Sequence, residues 1–114
     1  MTPLVLPGLA LGNLDGLVFE AFRDGVTICH LQRSVDGGPG LALLRYAPGA
    51  SVPRHEHVGL ESIVVIDGSQ SDEHGTYEAG TVVVNPVGSV HSVWSEQGCL
   101  VLISWAKPVR ILGE

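Results

Sequence analysis

Three side chains of types that commonly bind metals lie within seven positions near the middle of this 114-residue sequence: His55, His57 and Glu61. Residues i and i+2 of a β-strand point to the same face of a sheet, so both imidazoles can reach one ion. Glu61 has the same parity and adds a carboxylate oxygen. His91 is the predicted fourth ligand, because it opens a strand-like run that could lie beside the histidine pair. The spacing therefore predicts one divalent metal ion per chain.

The residue types narrow the choice of metal only in part. Structural zinc sites are more often closed and rich in thiolate, whereas imidazoles with one carboxylate leave coordination positions for water or substrate. Such a set suits Zn, Fe(II), Mn, Ni or Cu, and spacing does not choose among them. The sequence therefore favours a site that can take a small-molecule ligand or substrate.

The elements that must position these side chains are short strands. Fifteen glycines and seven prolines separate runs rich in valine, leucine and isoleucine, which predicts an all-β sandwich or barrel. One strand should carry the histidine pair, and the other predicted strands are 26–33, 41–47, 61–67, 81–85, 90–94 and 99–105, with 108–112 on an edge. Three further segments are predicted as a short strand or single turn (16–22), a turn (Asp67-Gly68) and a polar connection or short hairpin (69–78).

Length and charge set outer limits on the function. The length predicts one domain, residues 1–114, and the net charge of −6 without a basic run argues against nucleic acid and anionic membranes as partners. The apolar stretch 4–11 lacks a basic flank and is interrupted by proline and glycine, so it is not interpreted as a signal peptide. Cys29 and Cys99 are interpreted as buried thiols of a cytoplasmic protein.

Two stretches resemble the cupin superfamily at their fixed positions. The first, 49–68, reads Gly49-x5-His55-x-His57-x3-Glu61-x6-Gly68, and the second, 80–95, reads Gly80-x5-Pro86-x-Gly88-x2-His91. The superfamily closes the second motif with asparagine after three more residues, where this chain has Ser95. The resemblance implies a single-domain jelly-roll barrel, also called a double-stranded β-helix. It also implies that the metal ligands are His55, His57, Glu61 and His91.

A narrower resemblance is to the ChrR-like cupin domains and the small non-haem metal dioxygenases related to them. It is carried by five short stretches: 46–50 (Tyr-Ala-Pro-Gly-Ala), 71–75 (Ser-Asp-Glu-His-Gly), 79–81 (Ala-Gly-Thr), 85–86 (Asn-Pro) and 96–99 (Glu-x-Gly-Cys). The resemblance implies a dioxygenase-type oxidoreductase that binds a small organic ligand. Alternatively, it implies a non-catalytic metal-binding sensor or regulatory module.

Several other side chains have two interpretations each. Arg45, the one charge in an apolar strand, has two interpretations. Either it lines the pocket and holds a substrate carboxylate or enolate, or it forms a salt bridge or extends its charged head to solvent. Three large aromatic residues either line the cavity or belong to the core or an interface: Trp94, Trp105 and Tyr46. Cys99 either faces the site or is an inert buried thiol.

The remaining titratable candidates are expected outside the metal site. His30 lies on an apolar strand and is interpreted as a core histidine whose hydrogen bonds are satisfied. His74, in a polar turn, is expected on the surface. Glu56 lies between the two histidines, so it should point to the opposite face and into solvent.

Both parities of residues 99–105 carry apolar side chains. A strand of a two-layer sandwich usually needs only one buried face. The second apolar face therefore predicts that a second copy of the chain covers it, which gives a homodimer.

Overall fold

The computed structural model describes residues 1–113, and these residues form ten β-strands and one 3₁₀ turn at Leu9–Leu11. The chain confirms the predicted all-β class, and nearly every predicted strand is found within one or two residues of its expected bounds. The strands are β1 (Glu20–Arg23), β2 (Val26–Gln32), β3 (Gly40–Tyr46), β4 (Ser51–Glu56), β5 (Glu61–Asp72), β6 (Gly75–Glu78), β7 (Val82–Asn85), β8 (Val90–Trp94), β9 (Cys99–Trp105) and β10 (Arg110–Ile111).

The strands form two antiparallel layers that share β5. One layer runs β1-β2-β3-β9-β5-β7, and the other runs β10-β4-β8-β5-β6. The first half of β5 pairs with β9 and β7, and its second half pairs with β6 and β8. Because one strand crosses from layer to layer, the layers curl around a common interior, which is the predicted jelly-roll barrel.

Gly68 is the point at which β5 passes from one layer to the other. Its φ is 72°, and a Cβ there would lie 2.1 Å from the carbonyl oxygen of Gly98. The register also shifts between Val65 and Asp67, as in a β-bulge. The predicted turn at Asp67-Gly68 is therefore wrong, because the glycine supplies the positive φ of a bend within a continuous strand rather than a chain reversal.

The structure also shows the conformation of the other segments for which the sequence allowed more than one. The predicted connection 69–78 is a hairpin, in which the end of β5 pairs with β6. The strand expected within 16–22 begins later, at Glu20, and β10 pairs with the edge of β4 as expected. Among residues 1–113 no helix has the length and apolarity needed to cross a membrane.

The apolar side chains form two clusters, one inside the barrel and one outside it. The inner cluster includes Leu44, Val65 and Val101. The outer cluster is built on Leu43 and Leu100 and is covered by apolar residues of the N-terminal segment, among them Leu6, Leu9, Leu14, Leu17 and Phe19. The second apolar face of β9 is thus covered within the chain, which removes the observation that predicted a homodimer. The dimer itself stays a prediction.

Candidate metal centre

Three histidines converge inside the barrel. His55 on β4 is the register partner of His91 on β8, so the two strands lie side by side as expected. His57 follows β4 directly, and its backbone N–H donates to the carbonyl of Ser89 over 2.9 Å. The ring centroids are 4.6–5.1 Å apart, and one nitrogen from each ring lies within 4.8 Å of the other two. All three side chains are buried. Such a set can hold one metal ion.

Each imidazole is oriented by a partner at Nδ1. The partners are the Pro53 carbonyl oxygen at 2.8 Å for His55, Ser89 Oγ at 2.9 Å for His57, and Asp72 Oδ2 at 3.1 Å for His91. A proton on Nδ1 leaves the lone pair of each ring on Nε2.

The Nε2 atoms of His57 and His91 are buried and have no hydrogen-bond partner. Buried polar atoms in folded proteins nearly always have one. A cation between the rings would satisfy these nitrogens, so the residues present fit a metal ion. Burial also lowers the pKa of His55, although its Pro53 contact acts in the opposite direction. The neutral ring that results is the form that binds metals.

Glu61 adjoins the three histidines from the start of β5. Its carboxylate is buried, and Oε1 lies 3.2 Å from His57 Nε2, although no hydrogen bond joins these two atoms. The same oxygen accepts a hydrogen bond of 3.2 Å from Nδ2 of Asn85, which is the register partner of Glu61 on β7. The interpretation of the sequence gave Asn85 no role. The signal that could have found it is an amide at the end of an otherwise β-branched strand.

Asp72 is a second residue at the site to which the sequence analysis assigned no role. Its Oδ1 accepts hydrogen bonds of 2.8 Å from the Tyr77 hydroxyl and from the backbone N–H of His74, and Oδ2 faces His91. Although burial works in the opposite direction, these donors keep the pKa of Asp72 below its ordinary value. A fixed, ionised carboxylate behind a histidine holds the ring in place and makes its free nitrogen more basic.

A cavity of about 370 Å³ adjoins the histidines, and its lining includes His55, Glu61 and His91. The rest of its wall is mostly apolar, with Leu44, Val52, Ile63, Val93, Ile103 and Ile111 among the lining residues. Tyr46 and Trp105 also line it, as one interpretation predicted, and burial raises the pKa of Tyr46 well above its ordinary value. Trp94 lies outside this lining.

The other predicted residues take up the following places. Arg45 is exposed on the outer layer, where its Cζ lies 4.1 Å from the ring centroid of Phe19, so it does not line this cavity. Cys99 belongs to the inner core, and burial raises the pKa of its thiol to about 11, which disfavours the reactive thiolate. His74 is exposed as expected, whereas Glu56 forms an ion pair with Arg110.

His30 differs from its prediction. It lines the cavity, and its buried Nδ1 has no hydrogen-bond partner. The interpretation as a core histidine with satisfied hydrogen bonds is therefore wrong. The reason is that the interior face of β2 opens onto a cavity at this position rather than onto packed side chains.

Ser95, which stands where the superfamily has asparagine, lies in a buried turn. Its hydroxyl donates to the Ser69 carbonyl oxygen over 2.6 Å, and its own carbonyl accepts from the Gly49 N–H over 2.7 Å. The two contacts join the ends of both motifs. This departure from the motif therefore concerns a turn.

The curled double layer and the convergent histidines define a cupin. The family model of the ChrR cupin-like domain matches residues 9–107, and the chain belongs to this family. It is 34% identical to the anti-sigma-E factor ChrR of Cereibacter sphaeroides over 77 aligned residues. The aligned residues make up 65% of this chain and 36% of that protein. The chain thus spans about a third of the length of this curated relative.

Solved structures agree on the fold. ChrR in its complex with SigE from Rhodobacter sphaeroides superposes with a TM-score of 0.72 at 26% identity, over 86% of this chain and 55% of that one. The acetylacetone dioxygenase of Acinetobacter johnsonii superposes with a TM-score of 0.77 at 17% identity, over 84% of this chain and 72% of that one. At that identity, the likeness to the dioxygenase concerns the fold alone.

Proposed function

We propose that this chain binds one divalent metal ion through His55, His57, Glu61 and His91, and that it acts as a dioxygenase-type oxidoreductase on a small organic molecule held beside the ion. The observation that carries the proposal is the apolar cavity of about 370 Å³ whose wall includes His55 and His91 of the histidine cluster. A cavity of this size with a few polar groups at one place is a common small-ligand site.

The chain's own residues would do three things in such a reaction. The Nδ1 partners orient the imidazoles, so the Nε2 lone pairs converge. Glu61 contributes a negative charge beside the cluster, and the apolar wall excludes water from the bound molecule. When bound, a divalent ion would supply Lewis acidity toward a carbonyl or enolate oxygen of the substrate. If the ion is iron, its redox activity would also allow a reaction with O2.

The second candidate is a non-catalytic sensor or regulatory module that uses the same metal site. It is favoured by a specific observation: the relative with 34% identity is an anti-sigma factor, whereas the dioxygenase shares 17%. In that case the ion and cavity would report a ligand to a partner protein. Both candidates require the same ligand residues, so they differ in turnover and in which metal is held rather than in whether a metal is bound.

We also propose that residues 1–114 form a single cupin domain of a cytoplasmic homodimer. The two free, buried cysteines, Cys29 and Cys99, support a reducing compartment. Exposed valines on β7 support a second copy as partner, as argued in the Discussion.

Oxygen uptake by defined metal forms tests the proposal. The protein would be purified without chelator for elemental analysis and then loaded with Fe(II), Mn(II) or Zn(II). Each form would be screened in an oxygen electrode against β-diketones and hydroxyketones, which can chelate a metal through two oxygens. We expect the Fe(II) form to consume oxygen with at least one compound, and the Glu61→Ala variant to lose this activity. No uptake with any metal, together with tightly held zinc, would favour the sensor module.

A further inference from the structure

Two nitrogen atoms of residues that line the cavity have no hydrogen-bond partner: Nδ1 of His30 and Nε1 of Trp105. Both atoms are buried. The other ring nitrogen of His30 lies 3.9 Å from Glu20 Oε1, which is beyond hydrogen-bond distance. Since most buried polar atoms have a partner, these two mark a place where polar groups of a ligand would be stabilised.

The two side chains lie on β9 and β2, two strands of one layer that are separated by β3, and His30 is farther along the layer from Glu61 than Trp105 is. Trp105 ends β9 and is the register partner of Glu61 on one side and of Gly40 on the other. Its indole lies across Gly40, where a Cβ would be 2.2 Å from Cζ2 and 2.9 Å from Nε1. His30 lies on β2, the next strand beyond Gly40. One molecule lying along this wall could therefore contact the metal cluster and both unpartnered nitrogens.

The chemistry of the two nitrogens limits the ligand group. An indole N–H only donates, so Trp105 requires an acceptor. An imidazole Nδ1 donates in one tautomer and accepts in the other, so a hydroxyl group suits His30 in both. A hydroxyl can also accept from the indole. A phenol or alcohol oxygen at this end of the cavity would therefore satisfy either nitrogen.

We infer that the cavity selects an apolar molecule with oxygen groups at both ends. A chelating pair of oxygens faces His55, His57, Glu61 and His91, and a hydroxyl at the far end contacts Trp105, with His30 beside it. This inference rests on the proposed function and specifies its substrate class. Trp105 and His30 then determine specificity rather than take part in the reaction.

The test compares 1-phenylbutane-1,3-dione with its 3-hydroxyphenyl and 4-hydroxyphenyl analogues. Binding to the zinc-loaded protein would be measured by calorimetry, and zinc content would be determined on the same samples. The Trp105→Phe variant keeps an aromatic ring over Gly40 and removes the N–H. Trp94→Phe is the matched control, because Trp94 lies outside the cavity lining.

We expect at least one hydroxy analogue to bind about tenfold more tightly than the parent compound to the wild type and to Trp94→Phe. In Trp105→Phe this gain, taken as the ratio of the affinities of the hydroxy analogue and the parent compound in the same variant, should fall to about twofold or less. Two results would overturn this inference and leave the proposed function standing. The first is equal binding of all three compounds by the zinc-loaded wild type, and the second is a gain in affinity from the hydroxyl that persists in Trp105→Phe. Failure of the wild type to hold zinc would overturn the proposed function and the inference with it.

Discussion

His91 and Asp72 form a buried pair in which the imidazole Nδ1 lies 3.1 Å from the carboxylate Oδ2. They come from different strands, β8 and the end of β5. The other carboxylate oxygen is held by the Tyr77 hydroxyl and the His74 backbone N–H. Because both donors occupy Oδ1, Oδ2 is left to accept from the ring. The pair therefore directs the Nε2 lone pair of His91 toward the other two histidines.

Asp72→Asn should weaken metal binding by about 10–100-fold, the usual effect of losing a residue that orients a ligand. The amide would keep an oxygen toward Tyr77 and turn its NH₂ group toward His91, which opposes the required tautomer. Competition with a chromogenic chelator would measure the affinity. Glu73→Gln is the control, since Glu73 is exposed and contacts Ser92 instead. Equal affinity in the two variants would contradict an orienting role for Asp72.

His57→Ala and His91→Ala should each release most of the metal, because each removes one of four proposed protein ligands. Elemental analysis of protein purified without chelator would check this, with one ion per chain expected for the wild type. His74→Ala is the matched control, because that side chain is exposed and only its backbone N–H contacts Asp72. Full occupancy in both ligand variants would show that the ligand assignment is wrong.

Alkylation of Cys99 should be slow at pH 8 and accelerate strongly with pH. Burial raises the pKa of this thiol to about 11, and the charge of Asp67 acts in the same direction. Thiolate is the reactive form, so its fraction grows about tenfold per pH unit below that value. At pH 8 the thiolate fraction of Cys99 is therefore roughly a hundredfold or more below that of an ordinary thiol with a pKa of about 8.5.

Mass spectrometry of Cys29→Ala protein after timed iodoacetamide treatment isolates this thiol. Glutathione in the same reaction provides the reference rate. Labelling of Cys99 as fast as glutathione at pH 8 would contradict an inert thiol, and it would make an oxidant-sensing role for this residue worth testing.

Ser95→Ala should lower the free energy of unfolding by about 1–2 kcal/mol, because the buried Ser69 carbonyl loses its hydroxyl partner. Metal content should stay unchanged, because Ser95 contacts Ser69 and Gly49 and is not one of the proposed ligands. Urea denaturation would measure the change, with the exposed Ser51→Ala as control. Unchanged stability would show that the hydroxyl contact does not contribute.

A homodimer should form through the outer face of β7. Val82 and Val84 are each 60% exposed on this strand, and within residues 1–113 it pairs only with β5. An exposed apolar edge strand is a common place for a second copy to bind. Sedimentation should show a dimer that Val84→Asp converts to a monomer and that Val18→Asp leaves intact. A monomer of the wild type at micromolar concentration would overturn this prediction.

Much of the fold and part of the site were predictable from the sequence. Glycines and prolines delimit the strands, and the two-residue spacing of His55 and His57 on a strand places them on one face. These are local properties of backbone conformation and side-chain parity, so they need no knowledge of distant contacts. Gly68 shows the limit, because a positive φ serves a turn and a bulge equally well, and the sequence does not distinguish them.

The sequence by itself therefore determined the class of fold, the approximate strands and the residues that could bind a metal. Only the tertiary structure decided what surrounds those residues: Asp72 behind His91, Asn85 beside Glu61, and the unpartnered nitrogens of Trp105 and His30 in the cavity wall. The physical reason is that these relationships depend on the order and register of strands far apart in the chain. A shift of one residue in register would turn each side chain to the opposite face.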